Sequence, residues 1–187
     1  MGCQFYDKTA GAWIAAERYT ADGLFLLTPE QVHLCPQLEA ALRHGVEQRL
    51  YCHNDEMTLR LPVALLEEDV QFGTVARMAH LTLHHTPQSL AILGEKGLIQ
   101  PLQQDWLGEL RQTAMGELLQ RVLLNAIYSH ERVARVLVER LQALRMALKT
   151  AMGNAELRQI VALNRDLGEL VIALRETGLI LRDALRA

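Results

Sequence analysis

The sequence lacks the marks of membrane and secreted proteins. It contains no run of roughly 18 to 20 apolar residues, the length that a membrane-spanning helix requires. Its first residues, MGCQFYDKTAG, have neither the basic start nor the apolar segment of a signal peptide. We therefore expect a soluble chain in a cytosolic environment.

Cysteine and clustered positive charge are also scarce. The three cysteines, Cys3, Cys35 and Cys52, show no CxxC spacing, so neither a disulfide framework nor a cysteine zinc site is expected. The formal net charge is -3, which gives no reason to expect a nucleic-acid partner. The few clustered basic residues, which alternate with Glu131 and Glu139 and indicate a solvated helix face, are Arg132, Arg135, Arg140 and Arg145.

Recognisable catalytic motifs are missing as well. The chain has no Ser or Cys nucleophile with a neighbouring base, no paired carboxylates and no glycine-rich phosphate loop. The absence favours a sensing or assembly module over an enzyme.

The first half of the chain shows the alternation of strands. Asp22-Gly23 between AWIAAERYTA and LFLLT predicts one β-hairpin, and Asn54-Asp55 between RLYCH and EMTLRLPV predicts another that ends near Pro62. VARMAHLTLHH and SLAILGE predict two more strands joined at Thr86-Pro87, and short helices are expected after Thr28 and over QLEAALRH. The fold class is therefore α/β (α+β), with a mixed or antiparallel sheet flanked by short helices over residues 12–100.

The second half, residues 101–187, has a helical period. Residues 114–149 and 155–186 predict two long helices that a short turn folds into an antiparallel hairpin, within a single domain over residues 1–187. The predicted stripes, spaced by three and four, are Leu123, Ile127, His130, Ala134, Leu137, Leu141, Leu144 and Leu148 on the first helix, and Leu157, Ile160, Asn164, Leu167, Val171, Leu174, Gly178, Leu181 and Leu185 on the second. An 80-residue sheet domain cannot cover such a pair, so a partner chain is expected.

Two clusters contain residues that bind metals. His80 and His84 share a strand face but lie about 13 Å apart, which is too far for one zinc ion, and His85 faces the other way. The second cluster is Glu67, Glu68 and Asp69, in an expected loop or helix start. It suits weak Mg²⁺ binding, but from the residues alone we favour the other interpretation, a negative charge cluster at a helix N-terminus.

The order of these parts resembles a known family. The resemblance covers residues 57–186. In this range a sheet, the strand pair HLTLHHTPQSLAILGE and the helical hairpin are similar to the cytoplasmic domain of CorA-type magnesium and divalent cation transporters. The second helix matches the family pattern at Glu156, Leu157, Ile160, Leu163, Leu167, Leu170, Ala173, Leu174 and Leu181. The family's Gly-Met-Asn tripeptide, stalk helix and membrane helices are absent, as in a truncated soluble domain or a free-standing relative.

The resemblance implies a regulatory domain that senses metal and does not catalyse a reaction. It implies a funnel-shaped homopentamer in which carboxylates bind Mg²⁺ or another divalent cation between protomers, on the cytoplasmic side of a membrane. Glu67, Glu68 and Asp69 are the candidate ligands in this chain. Contact with the membrane would come only through the absent C-terminal helices.

Two other functions remain open. The helical hairpin suits a stand-alone adaptor or chaperone that docks a partner helix. The other is a small enzyme that uses the histidine cluster.

Overall fold

The computed structural model describes residues 3–8, 10–17, 22–45, 50–53, 55–106, 110, 113–149, 153–184 and 186. Within these residues the structure has seven strands, β1 (Cys3–Asp7), β2 (Ala12–Ala16), β3 (Gly23–Leu27), β4 (Leu50–His53), β5 (Glu56–Asp69), β6 (Gly73–His85) and β7 (Ser89–Leu93). The helices are α1 (Pro36–Gly45), α2 (Lys96–Pro101), α3 (Met115–Ala147) and α4 (Asn154–Ala184), with a 3₁₀ helix at Pro29–Leu34 and a π-helical turn at Leu102–Trp106.

The strands form one mixed sheet in the order β2-β1-β3-β7-β6-β5-β4. β3 and β7 are parallel, whereas β1 is antiparallel to both β2 and β3. β4 pairs antiparallel with β5, and β6 with β7. These pairings confirm the α+β class with a mixed sheet and a long helical hairpin.

The first predicted hairpin is wrong in its pairing. AWIAA does not pair with LFLL, because the unpredicted strand β1 lies between them. A tight turn makes β2 the neighbour of β1: the Gly11 N–H donates to the Asp7 carbonyl at 2.7 Å, and Gly11 has a φ of 67° that favours glycine. The remainder of the predicted first strand, residues 18–21, lies outside the described residues.

The second predicted hairpin is confirmed, but its strand does not end at Pro62. β5 continues to Asp69. The pairing of β4 with β5 ends at Leu59, so the missing N–H of Pro62 interrupts no bond to β4. Proline is tolerated in a strand where its position needs no N–H for a ladder bond.

The described chain forms two compact units. The first comprises Met1–Leu61, His80–Asn125 and Ile180–Ala187, and the second comprises Pro62–Ala79 and Ala126–Leu179. The first has a buried core that includes Cys3, Phe25, Leu27, Cys35 and Leu38. The predicted single domain over residues 1–187 stays a prediction.

The second unit packs one face of β5 and β6 against α3 and α4. Its core consists of Ala64, Ala76, Val133, Leu137, Leu144, Leu163 and Leu170. The Ser129 hydroxyl accepts the N–H of Ala64 at 3.1 Å and so joins β5 to α3. At the start of α4, the Gly153 N–H donates to the Glu156 carboxylate at 2.9 Å, as expected where one helix stops and the next is capped.

The buried stripe of α4 differs from the predicted one. Leu167, Val171 and Leu174 are exposed, and the buried positions, one residue away around the helix, are Leu163, Asp166, Leu170, Ala173 and Thr177. On α3 the predicted Leu137 and Leu144 are buried, but Leu141 is 51% exposed. The error has a physical cause: α4 is apolar on two adjacent faces, and the sheet covers the one that contains Asp166.

Candidate functional site

The three predicted metal ligands, Glu67, Glu68 and Asp69, are the last residues of β5. They lie in neither a loop nor a helix start, because β5 extends beyond Pro62. Neighbouring side chains of a strand point to opposite faces, so Glu67 and Asp69 share one face and Glu68 lies on the other.

The two glutamates already have partners on β6. Arg77 forms an ion pair with Glu67 at 2.5 Å between Nε and Oε1, and the Thr74 hydroxyl donates to Glu68 at 2.8 Å. Both carboxylates are exposed to solvent. They therefore remain accessible to a cation that replaces these contacts.

Asp69 holds the turn between β5 and β6. Its Oδ1 accepts the backbone N–H of Gln71 at 2.8 Å and that of Phe72 at 3.0 Å. Gly73, with a φ of 69°, completes the turn. Asp69 thus serves the local backbone through one of its two oxygens.

Magnesium suits this arrangement only in part. Mg²⁺ is usually bound by one or two carboxylates and several waters, and Glu67 with Asp69 supplies two carboxylates on one face. Among the described residues, no group of three or more His, Cys, Asp or Glu side chains is placed to hold a metal ion. A complete site on this turn would need waters or another chain for its remaining ligands.

A buried ion pair connects the two long helices. Arg140 of α3 donates through Nη1 to Oδ2 of Asp166 on α4 at 2.6 Å, and the Asp166 side chain has no exposed surface. Arg165 donates two N–H groups to the other oxygen, at 3.1 and 3.2 Å. The interpretation of Arg140 as part of a solvated face is therefore wrong, because the apolar pattern that we followed on α4 left Asp166 off the buried stripe.

The same cluster reaches the turn between the strands. The Arg165 guanidinium lies 5.9 Å from the centre of the Phe72 ring, within the range of a cation–π interaction. The turn that contains Asp69 is thus connected to α4 through Phe72 and Arg165.

Among the described residues, the histidine cluster of His80, His84 and His85 belongs to no group of three side chains placed to hold a metal ion. The His84 Nδ1 lies 2.9 Å from the Thr58 hydroxyl. Burial lowers the pKa of His84, with a smaller opposing effect from the Glu56 carboxylate, and burial also lowers the pKa of His85. Both rings therefore favour the neutral form, and they lie on successive, oppositely facing positions of β6.

Comparison with solved structures identifies the fold. The complete CorA magnesium transporter from Methanocaldococcus jannaschii matches 100% of this chain with a TM-score of 0.69 and 14% sequence identity. The soluble domain of the same CorA matches 91% of the chain with a TM-score of 0.63 and 15% identity. The chain has the fold of a CorA soluble domain. The ZntB cytoplasmic domain from Vibrio parahaemolyticus RIMD 2210633 matches 98% of it, with a TM-score of 0.53 and 12% identity.

The CorA likeness is one of structure. No protein-family model and no curated protein matches the sequence. The chain spans 63% of the length of the complete CorA transporter and 72% of the CorA soluble-domain chain. No helix among the described residues has the length and apolar character needed to span a bilayer.

Proposed function

We propose that this chain is the regulatory, metal-sensing cytoplasmic domain of a CorA-type divalent cation transporter. The observation that supports this proposal most strongly is the fold, which matches CorA over the whole chain. The three solvent-exposed carboxylates at the end of β5 agree with a regulatory part that binds a cation. The sensed ion is Mg²⁺ or another divalent cation.

We infer that Glu67, Glu68 and Asp69 contribute to metal binding. Glu67 and Asp69 supply two carboxylates on one face, and Glu68 supplies one on the other. A cation that bound Glu67 would compete with Arg77 for it, so affinity within one protomer is low. Ligands from a neighbouring protomer would complete the site.

The domain acts as a homo-oligomer in this proposal. Support comes from an exposed apolar stripe on the second unit, because contiguous apolar surface on a soluble protein often marks an interaction site. The stripe consists of Leu141, Leu148, Leu157, Leu167, Val171 and Leu174. Its last three members, on α4, are spaced by four and three as in helices that pack together. A second copy of this chain is the occupant that we assign to it.

Small residues in the same stretch favour close approach of a second copy. Added Cβ atoms at Gly168 and Gly178 would contact nothing within 4 Å, so both glycines face open space. A helix can approach closely where its partner has glycine. Asn164, which is exposed on the same side, is of the type that fixes the register of packed helices.

A thermal melt tests the metal proposal. If Mg²⁺ binds the folded chain, the chain should gain RT ln(1 + [L]/Kd) of stability, about 1.4 kcal/mol at ten times Kd. The melting temperature should rise in millimolar Mg²⁺ beyond its value in Na⁺ of equal ionic strength. Matched ionic strength separates specific binding from general screening of charge.

The variant with all three acids as amides, E67Q/E68Q/D69N, is the control. It should keep the fold and lose the Mg²⁺-specific rise. A rise that persists in this variant would assign the metal to other residues, and no rise in the unchanged chain would contradict metal sensing by this part.

A stand-alone adaptor is the second candidate. An apolar groove beside the exposed stripe favours it, because partner helices dock in such grooves. Leu141, Leu148, Ile160 and Leu167 help to line this groove. A chain that stays monomeric in Mg²⁺ would favour the adaptor over the transporter domain.

A further inference from the structure

A cavity of about 260 Å³ lies in the second unit beside the Arg140–Asp166 pair. Its walls come from the turn after β5 and from α3 and α4. The residues that matter for its chemistry are Phe72, Thr74, Arg140, Leu144, Gln159 and Leu163. The cavity borders the Arg140–Asp166 cluster but is not part of the proposed metal site, and its use does not depend on the proposed metal sensing.

The charge balance around the cavity favours an anion. Arg140 uses one N–H on Asp166, and Arg165 occupies the other carboxylate oxygen. Two guanidinium groups on one carboxylate leave one excess positive charge within the Arg140–Asp166–Arg165 cluster, separate from the Glu68 carboxylate that Thr74 contacts. Arg140 has no other partner in the described part of the chain, so its remaining donors are available in the planar arrangement that matches a carboxylate.

The cavity also disfavours a doubly charged anion. The hydroxyl of the lining residue Thr74 donates to Glu68, which brings a negative charge to the Thr74 side of the cavity. A single ligand charge can bind near Arg140, whereas a second would approach Glu68. Inorganic phosphate is therefore a poor ligand.

Apart from Gln159, the rest of the wall is apolar. Leu144 and Leu163 are buried core residues, and Phe72 and Val136 are half-buried beside them. Ligand pockets are usually apolar with a few polar groups that orient the ligand, and they have volumes of about 300–1,000 Å³. A volume slightly below this range suits a compact ligand with an apolar body.

We propose that this cavity binds a small organic monocarboxylate with an aromatic or branched aliphatic body. The carboxylate accepts hydrogen bonds from Arg140 and from the amide of Gln159, and the body lies against Leu144, Leu163 and the Phe72 ring. The ligand then joins the turn between β5 and β6 to both long helices.

Titration of the full chain with benzoate tests this proposal. Backbone amide resonances are followed by NMR, with acetate, benzamide and inorganic phosphate as separate arms. Benzoate should saturate and shift the resonances of residues around the cavity. Acetate lacks the body and benzamide lacks the charge, so each should bind at least tenfold more weakly, and phosphate should not compete.

The Gln159→Glu variant carries the decisive comparison. Gln159 is exposed, so the variant should fold, and its new carboxylate would both repel benzoate and occupy Arg140. Affinity should fall at least tenfold. Gln142→Glu makes the same change at an exposed position of α3 outside the cavity and should retain the affinity of the unchanged chain.

Three results would overturn the proposal. They are unchanged benzoate affinity in Gln159→Glu, equal affinity for benzamide, and shifts spread over the surface without saturation. None of them bears on Mg²⁺ binding, so this test and that of the metal proposal fail independently.

Discussion

Arg140 and Asp166 lie 26 residues apart in sequence, and their 2.6 Å ion pair joins α3 to α4 inside the second unit. Removing one partner of a fully buried pair costs about 3–5 kcal/mol, and because Arg140 is 21% exposed the cost here is at most of that order. Asp166→Ala should therefore lower the free energy of unfolding by up to that amount, as measured by urea denaturation. The double variant R140Q/D166N should cost less, because no buried charge is left without its partner.

The exposed pair of Arg135 and Glu131 is the control for this experiment. Both side chains are mostly exposed, and such pairs contribute about 0–1 kcal/mol. Arg135→Gln should thus leave the denaturation midpoint almost unchanged. A similar loss in Arg135→Gln and Asp166→Ala would show that the Arg140 pair is not buried.

The buried face of α4 is tested by one substitution at two neighbouring leucines. Leu170 is buried and Leu174 is 49% exposed. Leu170→Ala should cost about 2–5 kcal/mol through lost contacts and a cavity. Leu174→Ala should cost less than about 0.5 kcal/mol when the chain is monomeric. A larger loss of stability in Leu174→Ala than in Leu170→Ala would contradict this assignment and support the buried stripe that the sequence pattern predicted.

Sequence patterns predicted the helices and strands of this fold better than they predicted which strands pair with each other. β6, β7, α1, α3 and α4 have clear periodicities, and their bounds agree with the predicted ranges to within a few residues. β1 is only five residues long and was not predicted. Its position between β2 and β3 depends on contacts distant in sequence, which local alternation does not encode.

The same limit applies to the candidate site. The acidic residues 67–69 can be recognised in the sequence. Their placement on opposite faces of a strand could not be predicted, because Pro62 indicated that β5 ends before them. Arg140 looked like one of several exposed arginines. Its partner Asp166 could not be predicted, because the sequence does not show which of the two apolar faces of α4 packs against the sheet.

Acid should destabilise both units through buried histidines. Burial lowers the pKa of His84, His85 and His130, so the unfolded chain binds protons that the folded chain does not. Well above the unfolded-state pKa of about 6.5, these histidines are neutral in both states and do not change the free energy of unfolding. As pH drops below that value, the unfolded chain binds protons and the stability of the folded chain falls. Urea denaturation between pH 8 and pH 5 should show this fall.

His130→Leu provides the check on that prediction. The variant removes a buried ring whose two nitrogens have no partner in the described part of the chain. Its stability should depend less steeply on pH below 6.5 than that of the unchanged chain. An identical pH dependence would mean that His130 is protonated equally in the folded and unfolded chain.

The three thiols should differ in reactivity. Burial raises the pKa of Cys35 to about 11 and also raises that of Cys3, whereas Cys52 is exposed. Because the thiolate is the reactive form, a disulfide reagent at pH 8 should modify Cys52 rapidly and the other two only on unfolding. Cys52→Ser should remove the fast phase, and a fast phase that remains would contradict the burial of Cys3 and Cys35.

Sedimentation velocity with and without Mg²⁺ tests most directly whether this chain is a metal-sensing assembly domain. In millimolar Mg²⁺ the chain should sediment as a homo-oligomer, and in EDTA with Na⁺ of equal ionic strength it should shift towards the monomer. Val171→Glu, which places a charge on the exposed stripe, should remain monomeric in both buffers. A monomer of the unchanged chain in both buffers, or an oligomer of the same size in both, would contradict the account.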